Sequence, residues 1–244
     1  MSQPKTYFFG PILQALENAF RQIETKVPQP VRGRDGRFRY AEQSIRQAIV
    51  QKLARLISSL HSVEALLERG LFQELGIMQR GLDEIEEDIW FLALAVINSD
   101  ITDRHMEYLR YFYAEEFSDQ NDVVGSRLSR GMVKRDKIRA YVHGSSLSGA
   151  ELERAKDVGR TISKAYSGYV HAASPHIMDM YFPEGFDVSG TWKHHRYPSH
   201  KRDARNVYYR AITAMAVSAK AFDDETLFAS MRLFASKVES EMRS

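Results

Sequence analysis

Two short patterns in this chain carry residues able to do chemistry. Ser167 and His171 stand four apart in Ser167-Gly-Tyr-Val-His171, a spacing that puts both on one face of a helix. Arg160, Ser163, Ser167, His171 and Ser174 fall within an arc of roughly 80° on that helix, and Lys164 is the last long charge before the serines and the histidine. An imidazole titrating near neutrality can take a proton from a hydroxyl such as a ribose 2′-OH, and a neighbouring cation can stabilise the charge that develops at phosphorus. In that reading His171 is the base or acid, Arg160 or Lys164 is the electrostatic partner, and Ser167 orients the ring. The second pattern is Arg80-Gly-Leu-Asp-Glu84. Its ends can pair directly, which makes Arg80 a candidate phosphate contact set by Glu84. His176, beyond Pro175, would join a cleft between the two patterns. The competing reading is a buried hydrogen-bonded network of Arg80, Glu84, Ser167 and His171 that fixes how two helices meet. In such a network loss of Arg80 costs about 2–3 kcal/mol.

Other clusters lead elsewhere. Asp83, Glu84, Glu86, Glu87 and Asp88 invite a metal, but a di-iron bundle site needs Glu-x-x-His on facing helices, and no histidine here has an acid three residues before it. An exposed acidic face with the Arg80–Glu84 pair inside it is the expectation, with no metal. Residues 126–139 hold six cations against Asp136, a patch suited to phosphates, to the acids of 83–88, or to a plain solvated helix. His194, His195 and His200 lie among Lys193, Arg196, Lys201 and Arg202, cationic neighbours that oppose a metal ion and suit an anionic partner. Cysteine is absent, which excludes disulfides and thiolate chemistry. A Gly-rich phosphate loop, a GxSxG elbow and an HExxH pair are absent too, so no cofactor is expected.

These residues must be positioned by helices. Leu13, Leu16, Phe20 and Ile23 repeat at helical spacing behind Pro11. Long amphipathic helices are expected over 40–68 and 71–97, joined at Gly70 as an antiparallel hairpin. A short aromatic helix follows over 103–117. The stretch 148–175 reads as one helix, with Ser148 and Glu151 as a capping box and Pro175 as its stop. Val158, Ile162, Ala165, Tyr169 and Ala173 form its inward face. Helices over 202–222 and 224–242 close the chain, the last capped by Asp223 or Asp224. The fold class is all-α: one domain over 1–244 of about seven or eight helices, with a core over about 40–180 and the C-terminal helices at 202–243. Irregular basic loops, read as mobile, occupy 28–39 and 183–201. The opening residues lead us to expect no signal peptide, and no apolar run approaches the ~20 residues of a spanning helix. A cytoplasmic protein with no membrane partner is expected, and the net charge of +2 leaves any polyanion binding to local patches.

The Arg-x-x-x-Glu helix followed by a Ser-x-x-x-His helix resembles a group of prokaryotic helical proteins related to the HEPN superfamily. The resemblance covers about residues 40–180. It implies an all-helical protein that acts on or binds RNA, in active members as a metal-independent ribonuclease of toxin–antitoxin and phage-defence systems. In other members it implies a non-catalytic RNA binder or a helical protein-interaction module. Active members are marked by an arginine a short span before a histidine on one helix, often completed across a homodimer. Here ten residues separate Arg160 from His171 and three separate Arg139 from His143. Six separate Lys164 from His171, and lysine lacks the planar fork that holds a phosphate bidentately.

Overall fold

The computed structural model describes residues 9–33, 35–115, 117, 124–125, 131–144, 149–190 and 197–243; between 150 and 163 several positions are described by their backbone alone. The chain is all-α. Among the described residues it forms nine α-helices: α1 Gly10–Glu24, α2 Ile45–Glu68, α3 Phe72–Ile97, α4 Asp103–Tyr113, α5 Arg135–Gly144, α6 Gly149–Val170, α7 Ser174–Ile177, α8 Tyr197–Ala221 and α9 Glu225–Arg243. The other regular elements described are a 3₁₀ turn at Met178–Met180 and two antiparallel strand pairs, β1 Val31–Arg32 with β2 Phe38–Arg39, and β3 Tyr181–Phe182 with β4 Gly185–Phe186.

Local chemistry sets most of the helix ends. The second helix begins at Ile45 rather than Tyr40 because Ser44 and Gln47 form a reciprocal capping box, each side chain accepting the other's backbone N–H. It ends at Gly70, whose φ of +66° lets Leu71 N–H reach back to Leu66 O at 2.9 Å. This left-handed cap turns the chain straight into α3. The α8–α9 turn uses Asp224, whose carboxylate accepts the Leu227 N–H at 3.0 Å. The expected loop at 28–39 carries the β1–β2 hairpin, tied by Arg39 to both Asp35 and Glu115. The Arg39 guanidinium, with the Arg37 N–H, holds the Asp35 carboxyl down at about 2. In the segment 183–201, β4 is followed after the undescribed residues 191–196 by α8, which starts at Tyr197, five residues ahead of expectation.

The core lies between α2, α3 and α8. Leu53, Leu56 and Leu60 meet Leu75, Leu82, Ile89 and Leu92, with Val207, Ala211, Ile212 and Met215 closing the third side, all buried. The inner face of α1 covers one flank and α9 the other. Helix α3 packs against α2, α5, α6 and α8 and is thus the axis of the molecule. Surrounded on these sides, α3 also has Phe91 fully buried.

Candidate functional site

The expected helix 148–175 is two helices. Ala172 adopts φ +49°, and Ala173 N–H returns to Gly168 O at 2.9 Å while Ala172 N–H returns to Tyr169 O at 3.3 Å. That closes α6 with a left-handed cap built on alanine. Pro175 then opens α7 instead of ending α6, in keeping with proline's fitness for a first helical turn. The reversal folds His176 back over α6. Its ring packs edge-on to Tyr169 at 4.4 Å between centroids and covers Gly168, where a Cβ would lie 2.0 Å from the imidazole Cε1. From α3, Gln73 Nε2 donates to His176 O. Tyr169 in turn lies over Gly76, where a Cβ would stand 2.5 Å from the ring. Two glycines therefore allow α3, α6 and α7 to approach one another.

Against this frame the sequence-based candidates separate. Lys164 and His171 are exposed and Ser167 is half-buried. They follow one another at spacings of three and four, so the three side chains form a stripe spanning about 10 Å of helix. Among the described residues no side-chain hydrogen bond or ion pair orients the His171 imidazole; only its backbone N–H is engaged, on Ser167 O at 3.0 Å. Arg160 is turned away to Asp157 at 3.2 Å and to Asp136 of α5 at 3.5 Å. It also lies about 16 Å along the helix from His171. Arg80 and Glu84 do meet, at 3.5 Å, but with side chains 32% and 35% exposed. Their face of α3 is bracketed by α7, held through Gln73, and by α5, whose Arg135 donates to Glu84 O at 3.1 Å. His176 is half-buried, and its Nδ1 is enclosed without a hydrogen-bond partner among the described residues. On the expected inward face Tyr169 is buried but Ala165 is exposed.

The buried polar network lies one face over, and the reading of an exposed acidic face is corrected there. Asp83, Glu86 and Asp88 are buried. Each is met by a cation from another helix. Lys52 of α2 reaches Asp88 at 2.7 Å, and Arg135 reaches it at 2.5 Å. Arg139 reaches Glu87 at 2.6 Å. From α8, Arg210 reaches Asp83 at 2.5 Å and touches Glu86. The basic 126–139 segment thus serves in part as partner to the acids, through Arg135 and Arg139; residues 126–130 lie outside the described ones. Burial works against the Arg135 and Arg210 charges, but their carboxylate neighbours outweigh it and hold both guanidiniums protonated. Glu86 receives an ion contact but no aligned hydrogen bond. Burial pushes its carboxyl up to about 8, with Arg210 pulling the other way and Asp83 adding to the rise. Arg210, the one charge between Arg205 and Lys220 of α8, is the signal available in the sequence.

His200 belongs to the first turn of α8, buried and stacked on Phe72 at 4.5 Å, not to a basic loop; residues 193–196 lie outside the described ones. Among the described residues, no group of three or more acids or histidines could hold a metal ion, and no helix is long and apolar enough to cross a membrane. Comparison with family models, with curated proteins and with solved structures found no match to this chain.

Proposed function

We propose that this chain is a HEPN-like RNA-binding protein that contacts the RNA backbone through the Lys164–Ser167–His171 stripe of α6, with Arg80 and His176 as flanking contacts. The carrying observation is the stripe itself. An exposed ammonium, a half-buried serine and an exposed imidazole follow in register while the acids of the neighbouring α3 are matched by cations. Donors along one side suit phosphate and 2′-hydroxyl groups, and neutralised acids leave little to repel them. Binding is favoured over cleavage because acid–base chemistry needs an imidazole fixed by a partner. His171 has no such side-chain partner among the described residues, and Arg160 is committed to Asp136 and Asp157. The competing structural role for Arg80, Glu84, Ser167 and His171 is weakened because His171 is exposed and the other three are only half-buried, whereas a register-fixing network belongs in a dry interface.

The test is anisotropy of a labelled single-stranded RNA with the full chain across a salt series. Lys164→Ala is expected to weaken binding several-fold and to lower the salt slope by about one. His171→Ala is expected to weaken it as well, with no cleavage product from either protein. Unchanged affinity and slope in both variants would remove this reading.

A further inference from the structure

A second surface has a different character. Between α1, the start of α8 and the end of α9 lies a cleft of about 660 Å³. Helix α8 presents Lys201, Arg202 and Arg205 to it, and α9 presents Lys237 beside Glu241. Among the described residues that line it, one carboxylate stands against four cations, 3.7 Å from Arg205. The local excess of positive charge is greater than the net charge of the whole chain, +2, so the concentration is a property of this place. The floor is apolar. Ile12 and Phe234 are half-buried and Val238 is buried.

We propose that this cleft docks a short acidic amphipathic helix from a partner protein. Both walls are helical faces with the spacing i, i+3, i+4, i+7: Pro198, Lys201, Arg202 and Arg205 on one, Phe234, Lys237, Val238 and Glu241 on the other. Each wall offers about 10 Å, two turns, to a helix lying along it. The apolar floor takes anchoring side chains at the same spacing in the partner, and the cationic rim takes its carboxylates. A single-stranded nucleic acid is the poorer match, because it needs free aromatic faces for its bases. Phe9, the other ring at the cleft, is buried and stacked on Tyr208 at 4.5 Å.

The experiment uses the full chain and a labelled designed peptide with leucines at helical i, i+3, i+4 and i+7 and glutamates elsewhere. Anisotropy should show saturable binding that weakens at least about tenfold in Arg202→Glu/Lys237→Glu. Both positions are exposed, so the melting temperature of that variant should stay unchanged. A peptide with the leucines replaced by serine should not bind. Absence of binding by the wild-type chain, or binding indifferent to the charge reversal or to the leucines, overturns the proposal. So does polyuridine RNA or a phosphatidylserine vesicle that binds the cleft as tightly as the peptide, which would make it a polyanion or lipid surface.

Discussion

Arg80 and Glu86 sit two turns apart on one helix and answer to different physics. The Arg80–Glu84 pair is a third exposed, so water screens it and side-chain entropy opposes it. Arg80→Ala should cost at most about 1 kcal/mol in a denaturant melt, in contrast to the loss of about 2–3 kcal/mol that a buried network would impose. Glu86 is the reverse case. Its folded carboxyl lies at about 8 against an ordinary 4.5, so the folded state binds that proton more tightly than the unfolded chain does. The resulting stability is fully present below about 4.5 and is lost as pH rises through 8. Compared at pH 6 and pH 9, Glu86→Gln should therefore lose less stability than the wild-type chain over the same interval. Gly76→Ala is expected to cost about 1–2 kcal/mol by thermal melting. The added Cβ would drive into the Tyr169 ring, an overpacking penalty that exceeds the gain of about 1 kcal/mol in helix propensity.

At the scale of elements, α3 is held to its neighbours by charge as well as by leucine packing. Arg210→Ala leaves Asp83 and Glu86 buried without their guanidinium, and removing one partner of a buried pair costs about 3–5 kcal/mol. Adding Glu86→Gln should recover part of that loss, a coupling that a double-mutant cycle reads directly. The contrast with α1 shows what could be read along the chain. Leu13, Leu16, Phe20 and Ile23 repeat within one helix and are all buried, because a local period is enough to say which face turns inward. The ends of α2 were half legible: Gly70 marks the stop, while the start waits on a capping box at Ser44. Asp83 and Glu86 looked solvated because their counter-ion lies 127 residues from Asp83 along the chain, beyond the reach of any local pattern. The end of α6 departs from the local pattern for a different reason. Pro175 was a plausible stop, yet the break is made by Ala172 in a left-handed conformation that alanine seldom adopts. Of the candidate site, the Arg80–Glu84 pairing was readable from spacing alone, but the return of His176 over Gly168 was not, since it depends on that turn.

In the molecule as a whole, the polar residues divide into those that hold the helices together and those left facing outward. Lys52, Arg135, Arg139 and Arg210 are spent on the acids of α3; Lys164 on α6 and His171 just past its end are exposed. Stability and RNA affinity should therefore be separable by mutation. The most direct measurement takes melting temperature and RNA affinity together on Arg210→Ala and on Lys164→Ala/His171→Ala, with affinity read at a temperature where every protein is folded. The expected result is a melting temperature lowered by several degrees with affinity kept in Arg210→Ala, and an unchanged melting temperature with affinity lost in the α6 double variant. An α6 double variant that binds RNA like the wild-type chain, or that melts as early as Arg210→Ala, would contradict it.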